Sequence, residues 1–209
     1  MSKETLPNQM VGRSGIGYKT KDSTRTDLAA CAARFFAKQG YYGTSTQAIA
    51  ESCHIRKASL FHHYKTKEDI AIAAIDFVHK ECANHVFKHT EDNHIDEKER
   101  LHNFLQACEQ FFSEKDYALL PILLGLELGK IDFFKKSIED YFNAWHDALT
   151  QLLLPLCVDK SFAQQLANKS MMCIQGHVVS ARIQNDPKAL TNLSPALRQL
   201  WFDSCDLSA

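Results

Sequence analysis

The sequence predicts an all-α protein, with an N-terminal three-helix unit of helix-turn-helix type followed by a larger helical domain. Three observations carry this expectation. From about Thr24 onward apolar residues recur at three- and four-residue steps, alternating β-branched runs appear nowhere, and capping and breaking residues punctuate the chain at helical intervals. At 209 residues and 45% hydrophobic content, one good core or a small domain plus a larger one can be buried.

Residues 1–22 carry Pro7, Gly12, Gly15 and Gly17 without an apolar period and read as a flexible arm. Leu28, Cys31, Ala32, Phe35 and Phe36 then form the apolar stripe of a first helix that stops at Gly40, a natural left-handed terminator. Thr44 or Ser45 caps a second, short helix with Ala48, Ile49 and Cys53, and a third short segment runs from Lys57 to Tyr64. Thr66 followed by Glu68 and Asp69 is the start of a longer helix, because hydroxyl caps and early acids suit the exposed N–H groups there. Its face is Ile70, Ala73, Ala74, Phe77 and Val78, and it runs to about His89. A polar linker over 90–96 precedes helices expected at about 97–115, 117–129, 131–154, 161–185 and 195–203. Asp186-Pro187 is expected to break the penultimate helix, and Ser194-Pro195 to cap and open the last. The division is therefore an arm at 1–22, a helix-turn-helix unit at 23–69 and a helical domain at 70–209.

The longest apolar run, Ala118 to Leu126, is too short for a membrane span and contains Pro121 and Gly125. Met-Ser-Lys-Glu at the start has no secretory apolar segment, so a cytoplasmic protein with no membrane partner is expected. Seven scattered cysteines without CxxC spacing suggest neither a disulfide framework nor a zinc ribbon. Charge is unevenly spread. Residues 1–70 hold 11 Lys and Arg against 6 Asp and Glu, a balance of +5, while residues 71–209 hold 13 against 19, a balance of −6. A basic N-terminal third on an acidic body suits a protein that offers one end to a polyanion.

The segment from Gly43 to Asp69 concentrates the polar signal. Ile49, Ile55 and Leu60 are spaced to meet inside, whereas Arg56, Lys57, Ser59, His62 and His63 cluster outward on the third helix. The small side chains of Ala58 and Ser59 allow close approach to base edges, and Lys57 or Arg56 can donate to guanine acceptors in a major groove. Thr46, Tyr64, Lys65 and Lys67 stand where helix starts and turns meet phosphates, and Arg25 and Thr44 complete the expected DNA-facing set.

These residues resemble the tetracycline-repressor (TetR) family. The match runs through Ala33, Phe36, Gly40, Tyr41, Gly43, Thr44, Ser45, Ile49 and Ala50, then Ile55, Lys57, Ser59, Leu60, His63, Tyr64, Lys65, Lys67, Glu68, Asp69 and Ile70. The resemblance implies a homodimer on a double-stranded operator with two half-sites, released when an unidentified small molecule binds the C-terminal domain. It puts Lys57 and Ala58 at base edges, and His62, His63, Lys65 and Lys67 at phosphates or groove walls. His54 departs from the usual turn glycine and must tolerate a positive φ, and Phe61 replaces the usual Tyr, removing a hydroxyl. Repression is the default output implied.

In the C-terminal two-thirds the candidate ligand-lining residues are Phe104, Phe111, Leu123, Glu127, Phe142, Trp145, His146, Met172 and Gln175. They combine apolar bulk with polar groups embedded in apolar helices, as small-molecule cavities do. Leu166, Ser170, Ile174, Val178, Ala181, Leu197, Leu200 and Trp201 recur at helical steps and are the expected dimer interface. Two rival chemistries rank lower. Cys82, His85 and His89, with His79 close by, have helical ligand spacing for zinc or copper, and Cys53 invites a redox role, yet no metal and no cofactor is expected. A helical enzyme using Cys173 and His177 lacks an oxyanion site, a phosphate loop and a third orienting group, so no catalytic residues are assigned.

Overall fold

The computed structural model describes residues 21–91, 94–127 and 132–205, and among them every regular element is helical. Nine α-helices run in chain order among these residues: α1 (Lys21–Gly43), α2 (Thr46–Ser52), α3 (Lys57–His63), α4 (Lys67–His85), α5 (Glu97–Glu114), α6 (Leu120–Gly125), α7 (Lys135–Leu153), α8 (Lys160–Gln184) and α9 (Leu193–Cys205). Short 3-10 turns at Phe87–Thr90, Leu154–Leu156 and Pro187–Asn192 join them. No described helix is long and apolar enough to cross a membrane. The expected arm lies outside the described residues, apart from Lys21 and Asp22, which already belong to α1.

Local chemistry explains most boundaries. Thr66 and Asp69 form a reciprocal capping box at the start of α4, with bonds of 3.0 and 3.1 Å. Asp96 and Asp159 each accept from the third backbone N–H of α5 and α8 at 2.8 Å. Several boundaries differ from the sequence expectation: α1 carries on past its break at Gly40 to Gly43, and α4 ends at His85 and not near His89. α6 spans six residues instead of thirteen, because residues 117–119 form a turn ahead of Pro121 and the chain turns again at Leu126 and Glu127. α8, by contrast, ends just before Asp186-Pro187 as expected, where Asn185 takes the left-handed conformation (φ 50°, ψ 35°) and donates its N–H to Ala181 and Arg182. α9 begins at Leu193, so Ser194 does not cap it; the Ser194 N–H donates instead to Glu109 at 3.0 Å.

α1 packs along α4 and touches α6, while α7 packs on α8 and α8 on α9. One continuous core threads both halves, from Phe36, Ile49, Leu60 and Ile70 through Ile75 and Val78 of α4 to Phe104, Tyr141 and Leu149. Fully burying such a side chain stabilises by about 1.5–3 kcal/mol. α4 contributes to both ends of that core, so it couples them mechanically.

The apolar stripe of α8 and α9 serves the chain's own core. Leu166, Ser170, Ile174, Val178, Ala181, Leu197 and Trp201 are buried within one subunit, which corrects their assignment to a dimer face, whereas Leu200 is half-buried. Trp201 donates its indole N–H to Ser170 Oγ at 2.8 Å, locking α9 onto α8. A different face of α8 is left open: Met172 is 71% and Ile183 79% exposed, with Gly176 exposed and Val179 half-buried between them, and Phe202 of α9 is 46% exposed.

Candidate nucleic-acid interface

α2 and α3 meet at a tight turn built by backbone bonds from His54 to Glu51 and from Ile55 to Ala50, both 3.0 Å. His54 has φ 55°, so the turn keeps its left-handed residue without glycine at a modest cost. Ser45, rather than Thr44, caps α2, accepting from the Ala48 N–H at 3.0 Å. Ile49 and Leu60 face inward and are fully buried. That burial rotates the opposite side of α3 to the surface, leaving Arg56, Lys57, Ala58, Ser59 and His62 exposed. The Lys57 ammonium lies 5.8 Å from the Phe61 ring centre, so the ring that lacks a hydroxyl supports the cation instead. His63 is half-buried, its ring edge-on to that of His62 at 5.8 Å.

The other expected contacts divide. Lys65 is exposed and Thr46 is half-buried in the first turn of α2. Thr44 is 2% exposed and donates to the Gly40 carbonyl at 2.8 Å, so its hydroxyl holds the end of α1 and does not face a phosphate. Tyr64 is buried and donates its hydroxyl to the Arg25 carbonyl at 2.9 Å, with the Arg25 guanidinium 5.2 Å from the same ring. This pair ties the start of α1 to the end of α3. It removes Tyr64 from the surface and leaves Arg25 exposed beside it.

Lys67 is likewise diverted. Its ammonium sits 4.3 Å from the Tyr41 ring centre, and burial lowers its pKa against the pull of Glu68 and Glu127. Tyr41 donates its hydroxyl to Glu68 at 2.9 Å and its backbone N–H to Glu127 Oε1 at 3.3 Å. Burial and the Glu68 carboxylate raise the Tyr41 hydroxyl far above its ordinary pKa. Glu127 therefore joins α6 to the broken end of α1 and does not line the body's cleft. At that break Gly40 has φ 71° and ψ 178°, a conformation that essentially only glycine adopts, and a Cβ there would stand 2.6 Å from Glu127 Oε1. Sequence reasoning placed a positive φ at Gly40 but missed Glu127 as the group that meets it.

In the body, Phe112, Ile122, Tyr141, Phe142, Trp145, Met171, Ile174 and Gln175 line a tight cleft whose cavity volume is only about 20 Å³, room for about one water. Phe142, Trp145 and Gln175 were expected there. Phe104 and Phe111 are buried core, and Leu123 is half-buried without reaching the cleft. His146 pairs with Asp147 at 3.6 Å, and Met172 points outward from the opposite side of α8.

The rival chemistries meet specific obstacles. Cys82 is buried with its thiol 3.7 Å from the Tyr141 hydroxyl, whereas His85 lies at the surface 3.6 Å from Glu81, so the two do not converge. Among the described residues no cluster of three metal donors forms. His177 Nδ1 lies 3.6 Å from Cys173 Sγ but also 2.9 Å from the Cys173 carbonyl, and burial raises that thiol, the opposite of nucleophile activation.

The comparisons with known proteins agree with this geometry. A sequence profile of the family described as bacterial regulatory proteins, tetR family, matches residues 28–74. The biofilm operon icaADBC HTH-type negative transcriptional regulator IcaR of Staphylococcus epidermidis is 34% identical over 130 residues, covering 60% of this chain and 68% of the relative. The HTH-type transcriptional regulator LmrA of Bacillus subtilis is 24% identical over 181 residues, covering 85% and 96%. Among solved structures, a TetR transcriptional regulator from Legionella pneumophila superposes with a TM-score of 0.76 at 19% identity, covering 88% of this chain and 98% of that one. AibR in complex with isovaleryl coenzyme A and operator DNA superposes with a TM-score of 0.63 at 19% identity, covering 83% and 97%.

Proposed function

This chain belongs to the tetR family of bacterial regulatory proteins and is a DNA-binding transcriptional regulator; on that premise we propose that it is a repressor that binds its operator as a homodimer and leaves it when a small molecule occupies the body. Residues 23–69 act as the DNA-binding unit and residues 70–209 as the ligand-binding and dimerisation unit. The observation that carries the reading is the exposed row Arg56, Lys57, Ala58, Ser59 and His62 on a helix whose other side is pinned into the core. Lys57 donates to a guanine, Ala58 and Ser59 let the helix approach the bases, and Arg25, Thr46 and Lys65 meet phosphates.

The homodimer forms through the open face of α8, where Met172, Gly176, Val179 and Ile183 follow one another at three- and four-residue steps. An apolar face of this kind is a liability in a monomer, and the missing Cβ of Gly176 permits close approach of a second copy. A two-fold dimer places the two α3 helices about 34–36 Å apart, one DNA turn.

The effector is expected to part the tight cleft at Trp145, Phe142 and Gln175, moving α6 as it does so; the lining suits a largely apolar ligand with one hydrogen-bonding group. Ile122 of α6 lines the cleft, and Glu127 just beyond α6 holds the Gly40 break of α1. A ligand that displaces α6 therefore shifts α1, and α4 alongside it. Weakening operator binding 10- to 100-fold requires only about 1.4–2.8 kcal/mol of differential ligand affinity. Named relatives are transcriptional regulators, and no catalytic activity is proposed.

The test is selection of duplexes from a random-sequence pool, followed by binding titrations over salt concentration. The expected result is a shared, two-fold symmetric motif, with affinity falling steeply as salt rises. Recovery of no motif, with equal weak binding to all duplexes, overturns the reading.

A further inference from the structure

In the body Cys82 and Cys108 are buried and Cys157 and Cys173 partly exposed; in the DNA-binding unit Cys31 of α1 and Cys53 at the end of α2 are both partly exposed too. They are also neighbours. The Ser52 hydroxyl lies 2.7 Å from Cys31 Sγ and 4.0 Å from Cys53 Sγ, so both sulfurs share one small side chain. Cys31 Sγ also approaches the Ile49 carbonyl at 4.0 Å, which places it over the last turn of α2. Both sulfurs thus meet at the junction of α1 with the end of α2, and joining them draws on a small movement of the backbone at Ser52 and Cys53.

We propose that Cys31 and Cys53 are a redox site: a peroxide converts the pair to a disulfide, and that bond weakens DNA binding. The chemistry has two steps. The Cys31 thiolate attacks a peroxide oxygen, an S–O bond forms, the O–O bond breaks, and the departing oxygen leaves as water or alcohol. Cys53 then attacks the sulfenic sulfur, an S–S bond forms, the S–O bond breaks, and hydroxide leaves with the Cys53 proton as water. Two thiols lose two electrons and the peroxide gains them. The order follows from the surroundings. Burial, with the adjoining Cys31 thiol, raises the Cys53 thiol, so we assign the first attack to Cys31 and the resolving step to Cys53.

The effect on DNA follows from position. Cys53 is the residue that caps the C-terminus of α2, next to His54 in its left-handed turn and four positions before Lys57. A disulfide draws residue 53 toward α1 and displaces Ser52, whose hydroxyl donates to the Ile49 carbonyl at 2.8 Å. The turn that aims α3 must then shift, and base contacts do not tolerate such a shift. A thiol reductant reverses the change.

The experiment uses the reduced full-length chain, treated with hydrogen peroxide, alkylated and mapped by peptide mass spectrometry. Affinity is measured in parallel on a duplex selected by the reduced protein. The expected result is a peptide joining residues 31 and 53, a fall in affinity of about tenfold or more that a thiol reductant restores, and no response in Cys31→Ser or Cys53→Ser. Cys53→Ala is a second variant at the same position, and helical content by circular dichroism verifies that each variant is folded. Absence of the 31–53 link, a link that leaves affinity unchanged, or a folded Cys31→Ser that still loses affinity overturns the proposal. The DNA readout rests on the regulator reading, but the peptide map does not: a reduced protein that selects no duplex sinks that reading and leaves the disulfide separately measured.

Discussion

Two helices of this molecule turn an open row of side chains to the surface, and they do so in opposite chemistry. α3 shows Arg56, Lys57, Ala58, Ser59 and His62, cationic, small or polar. α8 shows Met172, Gly176, Val179 and Ile183, apolar or small. Each is pinned from behind by a buried residue, Leu60 in one and Ile174 and Val178 in the other. The difference teaches that an open face is informative through its chemistry and not its exposure: a cationic row at one end suits a polyanion, an apolar row at the other suits a second copy of the chain.

The largest expected effect comes from erasing the apolar row. Met172→Asp combined with Ile183→Asp should yield a particle of half the mass by light scattering. Its operator affinity should fall by about 100-fold or more, because two half-sites are no longer held together. A variant that keeps both mass and affinity would break the comparison at α8. Erasing the cation at the other end is next: Lys57→Ala should cost about 1–3 kcal/mol of discrimination between the selected duplex and a scrambled one, read by competition binding.

A third change tests the link between the two regions. Gly40→Ala forces a side chain into a conformation reserved for glycine and against Glu127, so thermal unfolding should show a loss of about 1–3 kcal/mol. The variant should also respond less to any effector, since the contact between α6 and α1 is disturbed. The smallest effect should come from Lys65→Ala, which weakens all duplexes about equally and lowers the slope of affinity against salt by about one. If Lys65→Ala instead changes sequence preference, the phosphate assignment is wrong.

Much of the DNA-facing region is legible in the amino-acid sequence because its determinants are local. Ile49 and Leu60 had to point inward, so Lys57, Ala58 and Ser59 had to point out, and His54 had to accept a positive φ; the structure places all of them accordingly. The exceptions are instructive. Tyr64, Thr44 and Lys67 have side chains that suit phosphates, and each is claimed by a partner inside the chain: the Arg25 carbonyl, the Gly40 carbonyl and the Tyr41 ring. Residue type cannot reveal that competition. The stripes of α8 were misassigned for a related reason, since spacing identifies which residues share a face but not what that face meets. Leu166 to Ala181 pack on α7 and α9, and the face beside them was left open.

The sequence alone therefore determined the helical class, the order and most limits of the helices, and the outward row of α3. Each follows from dihedral preference, capping and apolar period acting over a few residues. The tertiary structure decided which polar groups are spent on internal bonds, that Glu127 meets Gly40 across eighty-six residues of chain to Tyr41, and that Cys31 lies beside Cys53. Those pairings depend on how whole helices cross, and a crossing is settled by the packing of many side chains at once, not by any one stretch of sequence.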